Sequence, residues 1–312
     1  MALPLKPPVL PQLARSRSAL PEGEGWAYEP KWDGFRAIAF VEGEDLYLQS
    51  RNGKPLLRYF PDVSFPDERY VLDGEIIIFG EGGRQEFELL GQRIHPAASR
   101  IAMLAEKTPA KFIAFDLLAH GDEKLLDLPF AERRARLEKL PGIEVTPAAR
   151  TAEEAAPWLL SGEGVVAKEL ACPYRPGERT GMVKIKRVRT IDCVVIGWRP
   201  GKEEGTVGSL ILGLYDETGQ PREVGHSSGF KAAEKRTLVD KLKPYETGER
   251  GTGEPSRWRP AHELEWILLR PELVVEVTFD HVSSGRIRHG AKVQRWRDDK
   301  PPRECTIDQL DS

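Results

Sequence analysis

Tyr28-Glu29-Pro30-Lys31-Trp32-Asp33-Gly34-Phe35 sets a single lysine between an acid, an aromatic residue and an Asp-Gly turn. A lysine framed in this way is a candidate nucleophile, because a turn can present the amine to a substrate while neighbouring charges set its protonation. Taken alone the stretch says little: 46 of the 312 residues are Lys or Arg, and most such side chains lie on solvated faces. Its meaning comes from the ordered series that follows: Ser50-Arg51-Asn52-Gly53, Leu72-Asp73-Gly74-Glu75, Phe115-Asp116-Leu117-Leu118, Glu163-Gly164-Val165-Val166-Ala167-Lys168, Lys184-Ile185-Lys186 and Arg297-Asp298-Asp299-Lys300.

Around the lysine the local pattern is that of a sheet. Ala37 to Phe40 and Leu46 to Gln49 are short strand-like runs on either side of the turn-rich Glu42-Gly43-Glu44-Asp45, which predicts a hairpin. Val71 to Phe79 and Lys111 to Leu118 read as buried strands. Helices are predicted over 130–140, with an i,i+4 pair of Glu132 and Arg136, over 152–160, with a capping box from Thr151 to Glu154, and near 230–243. Beyond Lys186 the character changes to short strands at Cys193–Trp198, Ser209–Tyr215 and Leu273–Phe279, separated by Gly-, Pro- and Glu-rich turns. This predicts an all-β barrel with one inserted helix. The expected hinge lies around Arg187 to Asp192.

Length and a 40% hydrophobic content suit about two globular domains. With 49 acidic against 46 basic residues the net charge of -3 does not itself point to nucleic acid, so the distribution of charge matters more. Seven Lys or Arg against two acids between His281 and Arg303 predict a stretch facing phosphates. Cys172, Cys193 and Cys305 lack CxxC spacing, which disfavours a disulfide framework or structural zinc and suits a reducing compartment. No segment approaches the ~18 apolar residues of a membrane span, and the Pro- and Leu-rich Met1 to Arg15 lacks a signal-peptide core. A cytoplasmic protein is therefore expected.

The order and spacing of the motifs from about residue 26 to 303 resemble the covalent nucleotidyltransferase superfamily of ATP-dependent DNA ligases and mRNA capping enzymes. The resemblance implies an α+β, ATP-grasp-like adenylation domain over residues 1–188 followed by an all-β OB-fold domain over 189–312. Lys31 would attack the α-phosphate of ATP. Free lysine is protonated at neutral pH, so attack calls for nearby cations, supplied by Lys184, Lys186 and a divalent ion that also neutralise the phosphate oxygens. By position in the family pattern, Glu163 binds metal and Glu75 contacts ribose or a metal-bound water, with Mg²⁺ expected and Mn²⁺ an alternative. Phe115 would stack on adenine, and Glu29 would accept from the adenine amino group, favouring ATP over GTP. Arg36 and Arg51 match arginines that contact ribose or a nucleic-acid 5′-phosphate. Arg297 and Lys300 would orient the β,γ-phosphates from the OB-fold domain. One departure is visible: family members often carry an aromatic residue where Met182 stands.

The implied reaction is sealing of nicked double-stranded DNA through a lysyl-AMP intermediate and a DNA-adenylate. Lys31 to Arg36, Ser50 to Tyr59 and Asp298 to Cys305 resemble the small bacterial ligases of the actinobacterial C-type, which lack the helical DNA-binding domain of larger ligases. A monomer acting in DNA repair, with a separately encoded primase-type polymerase as a partner, is the corresponding expectation. The alternatives are an RNA ligase, an mRNA capping guanylyltransferase, and a non-catalytic nucleic-acid-binding protein with the same fold.

Overall fold

The computed structural model of the chain describes residues 3–80, 83–252, 265–280, 282–283, 285–288 and 290–310. It divides into two compact units, Met1–Arg187 and Val188–Ser312. The first unit contains β1 (Arg15–Ser16), β2 (Trp26–Pro30), β3 (Phe35–Glu42), β4 (Asp45–Ser50), β5 (Arg69–Ile78), α1 (Phe87–Arg93), α2 (Ala98–Lys107), β6 (Ala110–His120), β7 (Glu123–Lys124), α3 (Phe130–Leu137), α4 (Ala152–Ser161), β8 (Gly164–Glu169) and β9 (Met182–Lys186). These strands form two sheets, in the orders β4-β3-β5-β6-β7 and β1-β9-β8-β2.

The five-stranded sheet is covered on both faces, and its sequence shows why. Along β3, Ala37, Ala39 and Val41 enter one core cluster with Leu72 and Ile76, whereas Ile38 and Phe40 enter another with Val71 and Leu118. A strand buried on both sides reads as a nearly continuous apolar run rather than an alternation. The expected hairpin is present as β3 and β4, with Gly43 at φ 66° in its turn.

In the four-stranded sheet only one face is apolar. Tyr28, Val165, Ala167, Val183 and Ile185 pack with Ala155 of α4. Period-two alternation then sends their neighbours the other way. The ladder sets Glu29 opposite Val166 and Val166 opposite Lys184, so an acid, an apolar residue and a lysine stand in a row across this face.

The second unit contains β10 (Arg189–Pro200), β11 (Val207–Tyr215), β12 (Pro221–Ser227), α5 (Ala232–Leu242), β13 (Glu246–Thr252), β14 (Glu265–Leu269), β15 (Val274–Phe279), β16 (Val282–Ser283), β17 (Arg286–Ile287) and β18 (Lys292–Trp296). Strand β10 is its spine. It pairs with β11, with β14 through Gly197 and Trp198, and with β15 through Arg189 to Val194. Sharing one long strand among three partners bends the sheet around a core of Val194, Leu212, Leu214 and Val275, in keeping with the expected all-β architecture, and α5 is its one α-helix among the described residues.

Three local expectations change. Residues 189–192, read as hinge, are paired strand: the ladder Arg189 to Phe279 through Asp192 to Glu276 commits them to the second unit. Arg136 is bonded not to Glu132 but to Glu123 of β7, at 2.6 Å, because the β6–β7 hairpin reaches the end of α3. At α4 the Thr151 hydroxyl does accept from the Glu154 amide, at 3.2 Å, but the Glu154 carboxylate accepts from Arg150, one residue upstream of the expected cap. Helices α1 and α2 were not anticipated. Among the described residues, no helix is long and apolar enough to cross a membrane.

Candidate active site

The polar face of the four-stranded sheet and residues of β3, β5 and β6 line a cavity of about 310 Å³, and every residue lining it belongs to the first unit. Lys31, Glu29, Arg36, Arg51, Glu75, Phe115 and Lys184 are among those residues. Seven of the residues singled out from sequence thus converge on one space.

The segment carrying Lys31 is held at each step. The Lys31 amide donates to the Gly164 carbonyl at 2.9 Å, the Trp32 indole Nε1 donates to Thr146 Oγ1 at 2.8 Å, and the Asp33 amide donates to Gln85 Oε1 at 2.9 Å. Gly34 is required by close approach: a Cβ there would lie 2.2 Å from the Ile76 carbonyl oxygen and 2.8 Å from Glu75 Cγ. The second signature turn, Ser50-Arg51-Asn52-Gly53, closes through Gly53 N–H to Ser50 O at 2.9 Å with Gly53 at φ 76°. It leaves Arg51 exposed at the cavity edge.

Charge in the cavity is dense. Burial lowers the pKa of Lys184, helped by Lys186, Lys31, Arg179 and Arg51, so Lys184 stands in the field of four other cations. Burial pushes the Glu75 carboxyl up to about 7 against the opposing pull of Arg36 and Lys31, with Asp73 and Asp33 adding to the rise. Glu29 is 3% exposed. Its Oε1 accepts from Arg134 Nη1 at 2.9 Å and its Oε2 faces Lys168 Nζ at 2.8 Å. Burial raises its pKa, while those two cations work to lower it.

Arg36 has its fork on a neighbour: Nε and Nη2 each reach the Asp73 carboxylate at 2.6 Å. Asp73 is 0% exposed and also accepts from the Tyr174 hydroxyl at 2.6 Å, so a buried carboxylate is satisfied from two sides. Phe115 is 9% exposed, with Arg36 Cζ 4.6 Å and Lys168 Nζ 4.7 Å from its ring centroid. Met182 lines the cavity where the family carries an aromatic residue.

Not every expected residue is in the lining. Lys186 shares the outward face of β9 with Lys184 but is exposed, and Glu163 precedes β8 with its carbonyl bonded to the Arg187 amide at 3.2 Å. Arg297 and Lys300 belong to the second unit. Arg297 is forked onto Asp299 at 2.9 Å for both contacts and bonded to Asp192 at 3.0 Å, and Lys300 is paired with Glu304 at 2.8 Å. Arg286 and Arg295 also meet acids, Glu223 and Glu276, so the basic stretch near the C-terminus is largely ion-paired in the free protein.

Sequence reasoning missed six contributors. Lys168 ends the Glu163–Lys168 motif and its alternation with Val166 signalled an inward position. Pro11, Leu13 and Ala14 line the cavity because Ser16 pairs beside Lys184. Arg179 lies in the loop before β9, and Arg134 acts from behind Glu29; neither had a periodic signal. Among the described residues no three His, Cys, Asp or Glu side chains cluster as a metal site. Magnesium usually takes one or two carboxylates, with substrate phosphates and water supplying the rest. Glu75, one of three acids lining this cation-rich cavity with Glu29 and Asp33, fits such an ion.

Comparison with known proteins agrees with this geometry. Residues 8–186 match the model of the ATP dependent DNA ligase domain, and residues 203–300 match the ATP dependent DNA ligase C terminal region. The chain belongs to the ATP-dependent DNA ligase family, with an adenylation domain followed by an OB-fold domain. It is 46% identical to DNA ligase C1 of Mycolicibacterium smegmatis and 44% identical to DNA ligase C of Mycobacterium tuberculosis, in each case across 100% of this chain and 96% of the relative. Among solved structures, the ligase domain of M. tuberculosis LigD superposes with a TM-score of 0.53 at 28% identity, covering 96% of this chain and 98% of that one. A mycobacterial DNA ligase D complexed with ATP and MES gives 0.54 at 28% identity, over the same shares of both chains. The C-type resemblance of the motifs is therefore matched over the whole chain. Neither the capping nor the RNA-ligase alternative is favoured.

Proposed function

We propose that this ATP-dependent DNA ligase seals nicks by chemistry centred on Lys31, and the convergence of Lys31, Lys184, Glu29, Arg51 and Glu75 on one cavity carries the reading. The Lys31 amine attacks the α-phosphorus of ATP, a P–N bond forms, and the bond to pyrophosphate breaks. The nick 5′-phosphate then displaces the lysine from AMP, and the 3′-hydroxyl displaces AMP to form the phosphodiester. Each transfer is in-line, so positioning and electrostatics supply most of the rate.

Glu29 and Lys168 read the base. Lys168 uses two of its three donors on Glu29 and on the Phe115 carbonyl, at 2.8 Å each. The third remains for adenine N1, while Glu29 accepts from the amino group. Guanine presents the opposite pattern, a donor at N1 and an acceptor at O6. Lys184 and Lys186 neutralise the α-phosphate, and Arg51 and Arg179 meet phosphates at the cavity edge. Arg36 serves by bracing Phe115. Glu75 and Glu163 would hold Mg²⁺, or Mn²⁺, whose charge stabilises the phosphates when bound. Arg297 and Lys300 engage the β,γ-phosphates after exchanging their present partners Asp299 and Glu304. A role in DNA repair in the cytoplasm, as a monomer beside a separately encoded primase-type polymerase, is the biological setting that the motif resemblance to the C-type ligases implies.

Incubation with ATP and a divalent ion, followed by peptide mass analysis, tests this reading. The expected result is AMP on Lys31 in the wild type and neither adduct nor sealing in Lys31→Ala. A normal adduct in that variant would overturn the assignment.

A further inference from the structure

Arg134 is 12% exposed and does not line the cavity, yet it touches the surroundings of the nucleophile on two sides. Its Nη1 donates to Glu29, two residues before Lys31, at 2.9 Å. Its Nη2 donates to the Thr146 carbonyl at 2.6 Å, and the hydroxyl of the same threonine receives the indole N–H of Trp32, the residue after Lys31, at 2.8 Å. Thr146 is 1% exposed and its amide is fixed on the Ala114 carbonyl at 2.8 Å, so it does not yield. The third prong, Nε, lies on Glu138 of the same helical segment at 2.7 Å. One planar guanidinium therefore ties residues 29 and 32 to α3, and the lysine between them has little freedom to drift.

We propose that Arg134 is a positioning and specificity-determining residue for adenylation, holding the base-reading Glu29 directly and the Trp32 beside the nucleophile through Thr146. The inference rests on the proposed roles of Lys31 and Glu29 and adds a residue to them. Glu29 faces Lys168 from β8, Arg134 from α3 and the like charge of Asp116 from β6. Without Arg134 only Lys168 opposes burial and Asp116. The carboxyl then moves toward its neutral form, which can donate as well as accept, and its discrimination against the O6 acceptor of guanine is lost. The effect on Trp32 is separate, because it acts on the placement of Lys31 and not on the base.

The full-length protein is labelled with α-phosphate-labelled ATP or GTP in single turnover, using Arg134→Met, Arg134→Lys and Thr146→Val, with thermal melts as the folding control. Arg134→Met is expected to lower the preference for ATP over GTP by about tenfold, the size of one charged hydrogen bond. Arg134→Lys should restore most of it. Thr146→Val should keep the preference while slowing labelling several-fold at saturating ATP. An unchanged preference in Arg134→Met, or an equal loss with both nucleotides, overturns the proposal. Should Arg134→Met fail to fold, Arg134→Gln is read by the same ratio. Absence of any label at Lys31 in the wild type would instead overturn the nucleophile assignment beneath it.

Discussion

Gly34→Ala is the sharpest test of whether the turn after Lys31 positions the nucleophile. The added Cβ would sit 2.2 Å from the Ile76 carbonyl oxygen, with Glu75 Cγ at 2.8 Å and Ile77 Cγ2 at 2.9 Å. Real contacts of this kind are not shorter than about 3.0 Å, so the start of β3 must move from β5 by about 0.8 Å. The obstacle is strand backbone, paired through Phe35 with Ile76, and it cannot swing aside as a side chain would. A displacement near 1 Å at a reacting group lowers the rate by about 10²-fold, while overpacking of this kind costs ~1–3 kcal/mol of stability. The variant should therefore fold, with a lower melting temperature, yet label with AMP about a hundredfold more slowly in single turnover at saturating ATP. Labelling within about threefold of wild type in a folded Gly34→Ala protein would refute the claim that close approach at this glycine sets the lysine.

Three further outcomes follow from the geometry. Arg133 and Asp116 form a buried bidentate pair at 2.7 and 2.9 Å, so Arg133→Met, which strands the carboxylate, should lower unfolding free energy by ~3–5 kcal/mol in urea titration; a loss under ~1 kcal/mol would show the pair is not needed. The Glu75 carboxyl stands at about 7, above its ordinary 4.5, so the folded protein keeps a proton that the unfolded chain has released. Its contribution is full below 4.5 and is lost as pH rises through about 7. Without nucleotide or metal, stability should fall across that window and Glu75→Gln should flatten the slope; parallel slopes would refute the assignment. Arg297→Ala should slow labelling by ATP while leaving sealing of a pre-adenylated nick nearer to wild type, and equal losses in both assays would remove its proposed tie to pyrophosphate departure.

Much of the site was legible because strand periodicity and motif order carry it. Lys184 sits at the position that alternation with its apolar neighbours Val183 and Ile185 requires, whereas Lys31, Glu75 and Phe115 were marked by motif order. The rest was hidden for identifiable reasons. Arg36 has an arginine's fork and a motif position, yet nothing local shows that Asp73, on a strand 37 residues away in sequence, claims that fork. Lys168 reads as a strand-end lysine until β2 pairs with β8 and brings Glu29 beside it. Helices α1 and α2 escaped because Gly91, within α1, and His95-Pro96, between the two, interrupt the helical pattern in the sequence. Their helicity depends on tertiary packing of Leu90, Ile101 and Leu104 more than on propensity.

The charge layout suits the three successive transfers proposed for this cavity. In and behind it, two sets of charged groups differ in how they are partnered. Glu29, Asp73 and Asp116 are buried and each carries its own basic partner, respectively Lys168 with Arg134, Arg36, and Arg133. Such satisfied pairs hold shape and need no ligand to neutralise them. Lys184 instead has its pKa lowered by burial and by surrounding cations that include Arg51 and Arg179, an arrangement that a bound phosphate would favour. In the proposed chemistry the α-phosphate, the lysyl-AMP phosphate and the nick phosphate are all anionic, so the same cations would favour each in turn while the buried pairs would hold the adenosine side of the site. Exchanging the two behaviours, by leaving Glu29 unpaired or by giving Lys184 a carboxylate partner, would spoil base reading in the first case and phosphate capture in the second.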